Sequence, residues 1–142
     1  MKYFRSMLFA AAVLALGTAA HAQQTLLHTT VPFNFMVGDK LYPAGDYAIE
    51  KTAVASSVLL VYNRDRQDPI LIAPHRCSTG GAVNEKPKLV FDQMSGTYFL
   101  RQIWIANDTS GFELHRSNAE ARLALNAAPP ERVTIAAYAT QK

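Results

Sequence analysis

The chain has a single cysteine, Cys77, in 142 residues. One thiol cannot close an internal disulfide, so packing must hold the fold. Metal and nucleophile signatures are missing too. There is no HExxH, HxH or CxxC; His28, His75 and His115 are scattered, and His75-Arg76-Cys77 offers two ligands where a zinc site needs three or four. No G-x-S-x-G marks a nucleophile elbow, and Gly80-Gly81 lacks the Lys-Ser/Thr pair and helix of a phosphate loop. Ser57, Ser78, Ser95, Ser110 and Ser117 fall in turns or caps, where local hydrogen bonding accounts for them. Blocks of one charge are also lacking, since Arg64 and Arg66 alternate with Asp65 and Asp68. These absences point away from a bound metal or cofactor and from a nucleic-acid partner, which would need a basic patch.

What is present begins with a leader. Lys2 and Arg5 precede an uncharged run, Met7 to Ala20, and Ala20-His21-Ala22 supplies the small residues that a signal peptidase reads. The expected cut lies between Ala22 and Gln23. The run holds 14 residues, short of the roughly 20 that a spanning helix takes. A lipid anchor would need Cys where Gln23 stands. No later segment is apolar enough for long enough to cross a bilayer. The expectation is a single exported domain over residues 23–142, in the periplasm or outside the cell, with no membrane anchor after cleavage. Losing Lys2 and Arg5 lowers the basic count from 14 to 12, against 11 acidic residues, for a net +1.

The remaining chain reads as short strands. Leu27, Thr29, Val31, Phe33 and Phe35 alternate with His28, Thr30 and Asn34, which predicts one strand over residues 25–36 with a dry face. Pro32 cannot donate to a ladder and places that strand at an edge or bulge. Pro43 and Gly45 form a turn into a second strand ending near Thr52, with Tyr47 and Ile49 on one face and Asp46, Ala48 and Glu50 on the other. Val58 to Tyr62, Pro69 to Pro74, Lys88 to Met94, Tyr98 to Ala106 and Arg132 to Thr140 complete seven strands. Residues 78–87 read as a loop. The sixth strand is apolar on both faces, with Tyr98, Leu100 and Trp104 on one and Phe99, Ile103 and Ile105 on the other, so its outer face needs a cover. Ser117-Asn118-Ala119-Glu120 has capping-box spacing and starts the one helix available for that task, which ends at Pro129-Pro130. The fold expected is mainly β: an antiparallel sandwich or partly closed barrel of about seven to eight strands, with one short helix in the C-terminal half.

Four sets of residues are candidates for chemistry. Asp46 with Glu50, and Glu113 with His115, are same-face pairs that could do acid–base work. Tyr42 and Trp104 are the aromatic positions for ligand stacking. Cys77, next to His75 and Arg76, could be a reactive thiol. The lone Cys77 and the two-faced strands also leave a homodimer open.

Two segments carry a resemblance. Val31 to Lys40 (VPFNFMVGDK) followed by Pro43-Ala44-Gly45-Asp46-Tyr47, and Lys88-Leu89-Val90-Phe91 with Gly96-Thr97-Tyr98-Phe99-Leu100, Trp104 and the Ser-x-x-Glu helix, resemble small exported proteins of soil bacteria with no assigned function. The resemblance implies a shared exported β fold and assigns no site residue. The functional expectation is a non-catalytic exported module that binds or builds at the cell envelope or beyond it. The alternatives are a small barrel carrying an apolar ligand and a small hydrolase built on one of the carboxylate pairs.

Overall fold

Three prolines divide the chain between two sheets. The computed structural model describes residues 24–52, 55, 57–64 and 68–139; the leader and the Ala22/Gln23 site lie outside the described residues. The first sheet has the order β1-β4-β5-β6, from β1 (Gln24–Val31), β4 (Gly45–Lys51), β5 (Leu59–Asn63) and β6 (Ile70–Ile72). The second runs β11-β8-β9-β10-β7, from β7 (His75–Ser78), β8 (Lys88–Met94), β9 (Thr97–Trp104), β10 (Ser110–Glu113) and β11 (Glu131–Ala136). A small hairpin, β2 (Phe35–Val37) and β3 (Lys40–Tyr42), joins the second sheet where β2 pairs in parallel with β9. The chain changes sheet between β1 and β2, between β3 and β4, and between β6 and β7, at Pro32, Pro43 and Pro74 respectively. A residue with no N–H suits the place where a ladder has to stop.

Among the described residues the molecule is therefore mainly β with one short helix, and neither sheet closes into a barrel. Among the described residues, eleven strands replace the expected seven or eight. The predicted strand over 25–36 breaks at Pro32–Asn34. Beyond it, Gly38 takes φ +62° and turns β2 back onto β3 through a two-residue loop. The expected Pro69–Pro74 strand shortens to β6, and His75–Ser78 leaves for the other sheet. β10 falls in a stretch too short for periodicity to declare it.

The inner faces meet in one core containing Leu27, Val31, Ile49, Leu59 and Val61 of the first sheet and Leu89, Phe91 and Ile103 of the second. Phe35 joins them at the centre. Its ring meets Tyr47 edge-on at 5.0 Å and Phe91 at 5.4 Å, touching one aromatic from each sheet. Such pairs add about 0.5–1.5 kcal/mol each beyond the area they bury.

β9 departs from simple alternation. Val90 pairs with Gln102 and Phe91 with Leu100, so Arg101 is an extra residue, a β-bulge. The bulge resets the phase. Leu100 and Ile103 lie in the core, with Tyr98 and Ile105 packed against it, and Trp104 falls with Phe99 on the outer face. The sequence-based division of this strand is corrected by that one residue. Trp104 is paired with Gly111, and its indole covers that glycine.

The helix α1 (Asn118–Ala124) starts where the capping signal placed it, with the Glu120 N–H donating to Ser117 Oγ at 3.1 Å. The second half of the capping box does not form. The Glu120 carboxylate instead turns inward and pairs with Arg101. Arg101 Nε donates to Asp92 Oδ2 at 2.9 Å and Nη1 to the Leu114 carbonyl at 2.7 Å. Asp92, Arg101 and Glu120 are all buried, and this triad ties α1 to the outer face of the second sheet.

Arg101→Met should cost about 3–5 kcal/mol in urea unfolding, because two carboxylates lose their buried partner. Replacing Asp92, Arg101 and Glu120 together with apolar residues should recover most of that loss. A triple variant as weak as the single one would mean that shape, not charge pairing, holds the helix. Trp104→Ala should cost about 3–5 kcal/mol. In Gly111→Ala the new Cβ would lie 2.6 Å from the indole and 2.9 Å from the Ile103 carbonyl oxygen, for a cost of about 1–3 kcal/mol. The double variant should lose less than the sum, and strict additivity would place the indole elsewhere.

Candidate functional site

The outer face of the first sheet carries the larger depression. Register aligns Tyr138 with His28, His28 with Ala48, and Ala48 with Tyr62. Paired residues share a sheet face, so these four side chains form one row across β1, β4, β5 and the residues after β11. Ala48 is the smallest of them and leaves a hollow between the rings. Thr30, Asp46 and Arg64 flank it. Thr30 Oγ1 donates to Asp46 Oδ1 at 2.5 Å, Arg64 Nη1 lies 3.8 Å from Asp46 Oδ2, and the Arg64 N–H donates to the Asp46 carbonyl at 2.9 Å. The cleft holds about 450 Å³. Tyr138 stands at its rim, 71% exposed, yet its backbone is fixed by two hydrogen bonds with His28, at 2.7 and 2.8 Å.

The outer face of the second sheet carries a smaller, more polar pocket of about 290 Å³. His75 opposes Glu113 across β7 and β10, and the His115 ring meets the His75 ring with centroids 3.8 Å apart. Its inner wall is the Asp92–Arg101 pair, and Arg116 and Arg132 stand at its mouth. Arg116 Nε approaches Glu120 Oε1 at 3.7 Å, and Arg132 Nε approaches Asp92 Oδ1 at 3.8 Å. Among the described residues, no group of three or more His, Cys, Asp or Glu is placed to hold a metal ion.

Compared with protein-family models, curated proteins and solved structures, the chain matches none.

Tyr42 and Trp104, the sequence candidates for stacking, are only 4% and 8% exposed, so neither offers a ring to a ligand from solvent. Tyr42 stacks on Phe35, and burial holds its phenol above the usual range while Lys40 opposes that shift and Asp68 adds to it. Asp46 and Glu50 do share a face, but four residues along a strand separate their Cα atoms by about 13 Å. Glu50 is also buried and accepts from the Tyr62 hydroxyl. Glu113 and His115 do line one pocket, and register adds His75 to them. Cys77 is half-buried beside Gly111. Burial pushes its thiol pKa up, and the Glu113 carboxylate adds to the shift. Neighbouring Arg76 lies over the Phe112 ring, 5.7 Å from its centroid, away from the thiol's face. Among the described residues, the exposed tyrosine is Tyr138, and its partners are at the other end of the chain.

Alkylation of Cys77 by iodoacetamide should be slower at neutral pH than that of a free cysteine, rising only at alkaline pH. Glu113→Gln should speed it. A neutral-pH rate above that of the free amino acid would restore the reactive-thiol reading.

Proposed function

We propose that this chain is an exported, non-catalytic binding module whose ligand sits on the outer face of its first sheet. The observation that carries this reading is the cleft beside Tyr138, where an exposed ring on a pinned backbone meets hydrogen-bonding groups. The core supports a surface site rather than an internal one. Phe35, Phe91, Leu27 and Ile49 fill the space between the sheets, where a carrier would keep an apolar ligand. The buried carboxylates support binding over hydrolysis. Arg101 engages Asp92 and Glu120, and the Tyr62 hydroxyl engages Glu50, so these acids are occupied in holding the fold. The Lys2/Arg5 leader and its Ala20-His21-Ala22 end support export.

The test has two parts. Protein recovered outside the cytoplasm should begin at Gln23 by mass spectrometry. Ligands found by thermal shift should raise its melting temperature and be recovered chemically unchanged, since binding the folded state alone stabilises it. A chain still starting at Met1, or turnover of a glycoside or ester that Glu113→Gln abolishes, would overturn the proposal.

A further inference from the structure

The ligand class can be narrowed from the chemistry of the cleft, and the narrowing rests on the binding-module reading above. We infer that the cleft binds a neutral oligosaccharide, with one sugar face on the exposed Tyr138 ring and its hydroxyls on Thr30, Asp46 and Arg64.

Shape is the first argument. Four adjacent backbone segments spaced by about 4.8 Å put the Tyr138 and Tyr62 Cα atoms about 14 Å apart. Ala48 forms the low floor between them. A second depression of about 240 Å³ shares Asp46, Tyr47 and Arg64 with the first and continues past Pro43. The two depressions are thus contiguous, as suits a chain of ring-shaped units.

Chemistry is the second. A pyranose has apolar C–H faces and an equator of hydroxyls that both donate and accept. The exposed Tyr138 ring can pack on such a face, while the buried Tyr62, its hydroxyl held by Glu50, closes the far end of the cleft. Asp46 accepts, Arg64 donates, and the Thr30 hydroxyl does both. The neighbouring Asp46 and Arg64 cancel in charge, so the centre of the cleft has no net field for an anionic or cationic polymer. An extended peptide fits less well. Peptides that add to sheets take their affinity from the backbone groups of a free edge, and this cleft lies on the face of β1 and β4, which are already paired.

The test is calorimetric titration of the purified protein with cellohexaose, chitohexaose and laminarihexaose, with polygalacturonate as the anionic comparison. One of the neutral oligosaccharides should bind, and polygalacturonate should bind more weakly. Tyr138→Ala should weaken that binding by roughly tenfold, with the melting temperature unchanged because the ring is exposed, and Tyr138→Phe should retain it. Asp46→Asn should also weaken it. Binding that ignores Tyr138→Ala would overturn the placement. Failure of all three neutral probes would overturn the sugar assignment, and a different thermal-shift ligand sensitive to Tyr138→Ala would leave the binding module standing. A dimer in sedimentation that Tyr138→Ala dissociates would make a second copy the occupant and overturn the inference.

Discussion

The architecture depends on one inserted residue, Arg101. Without the bulge, the alternation of β9 would send either Leu100 or Ile103 out of the core, because the two lie three residues apart. Inserting one residue lets both halves of the central strand face inward. The inserted side chain then faces outward, and being an arginine under a helix, it needs counter-charges. Asp92 on the neighbouring strand and Glu120 on the helix supply them. A buried triad of this sort gives little net stability over an apolar replacement of the same shape, since three groups have been taken out of water. Its consequence is position. The helix has one charged anchor, and the sheet face beneath it has the matching one.

That choice also explains the half-formed cap. A glutamate at the third helical position can return to the helix start or go elsewhere. The exposed return bond would exchange protein for water at little net gain. The inward route gives the carboxylate a guanidinium partner in a dry setting, where the charge pair is stronger. The Ser117–Glu120 spacing therefore predicts the helix start correctly and misassigns the glutamate, because the competing partner lies 19 residues away in sequence on another strand.

The same distinction between local and distant signals separates what the sequence discloses from what it conceals. The β class, the Lys88–Met94 and Thr97–Trp104 hairpin and the dry face of β1 follow from period-two patterning, which neighbouring residues determine. Pro32 was legible as a ladder breaker, Pro43 as part of a turn and Pro74 as a strand end, but only the register reveals that each one carries the chain between sheets. The side taken by Trp104 was misread because a bulge is invisible to a count by twos. The outward facing of His28, Thr30, Asp46 and Ala48 was legible, whereas Tyr138 joins them through a bridge across 110 residues that no window along the chain can detect.

The two outer faces are thus left with different capacities. On the second sheet, the ion triad that anchors the helix lies on the outer face, and the arginines of the remaining pocket are already paired with Asp92 and Glu120. A ligand arriving there finds His75, Glu113 and His115 accessible, but has to displace an existing ion pair before it can engage the arginines. On the first sheet, Asp46 engages a short hydroxyl and an exposed arginine side chain, and exposed pairs of this kind are worth about 1 kcal/mol or less. Their groups can be redirected to a ligand at small cost. Tyr138 completes the contrast, since its backbone is ordered before any ligand arrives and binding then loses little chain entropy. A pinned aromatic beside weakly committed polar groups is an arrangement that favours recognition over stability, and that difference is the physical ground for proposing the first sheet's outer face as the binding surface.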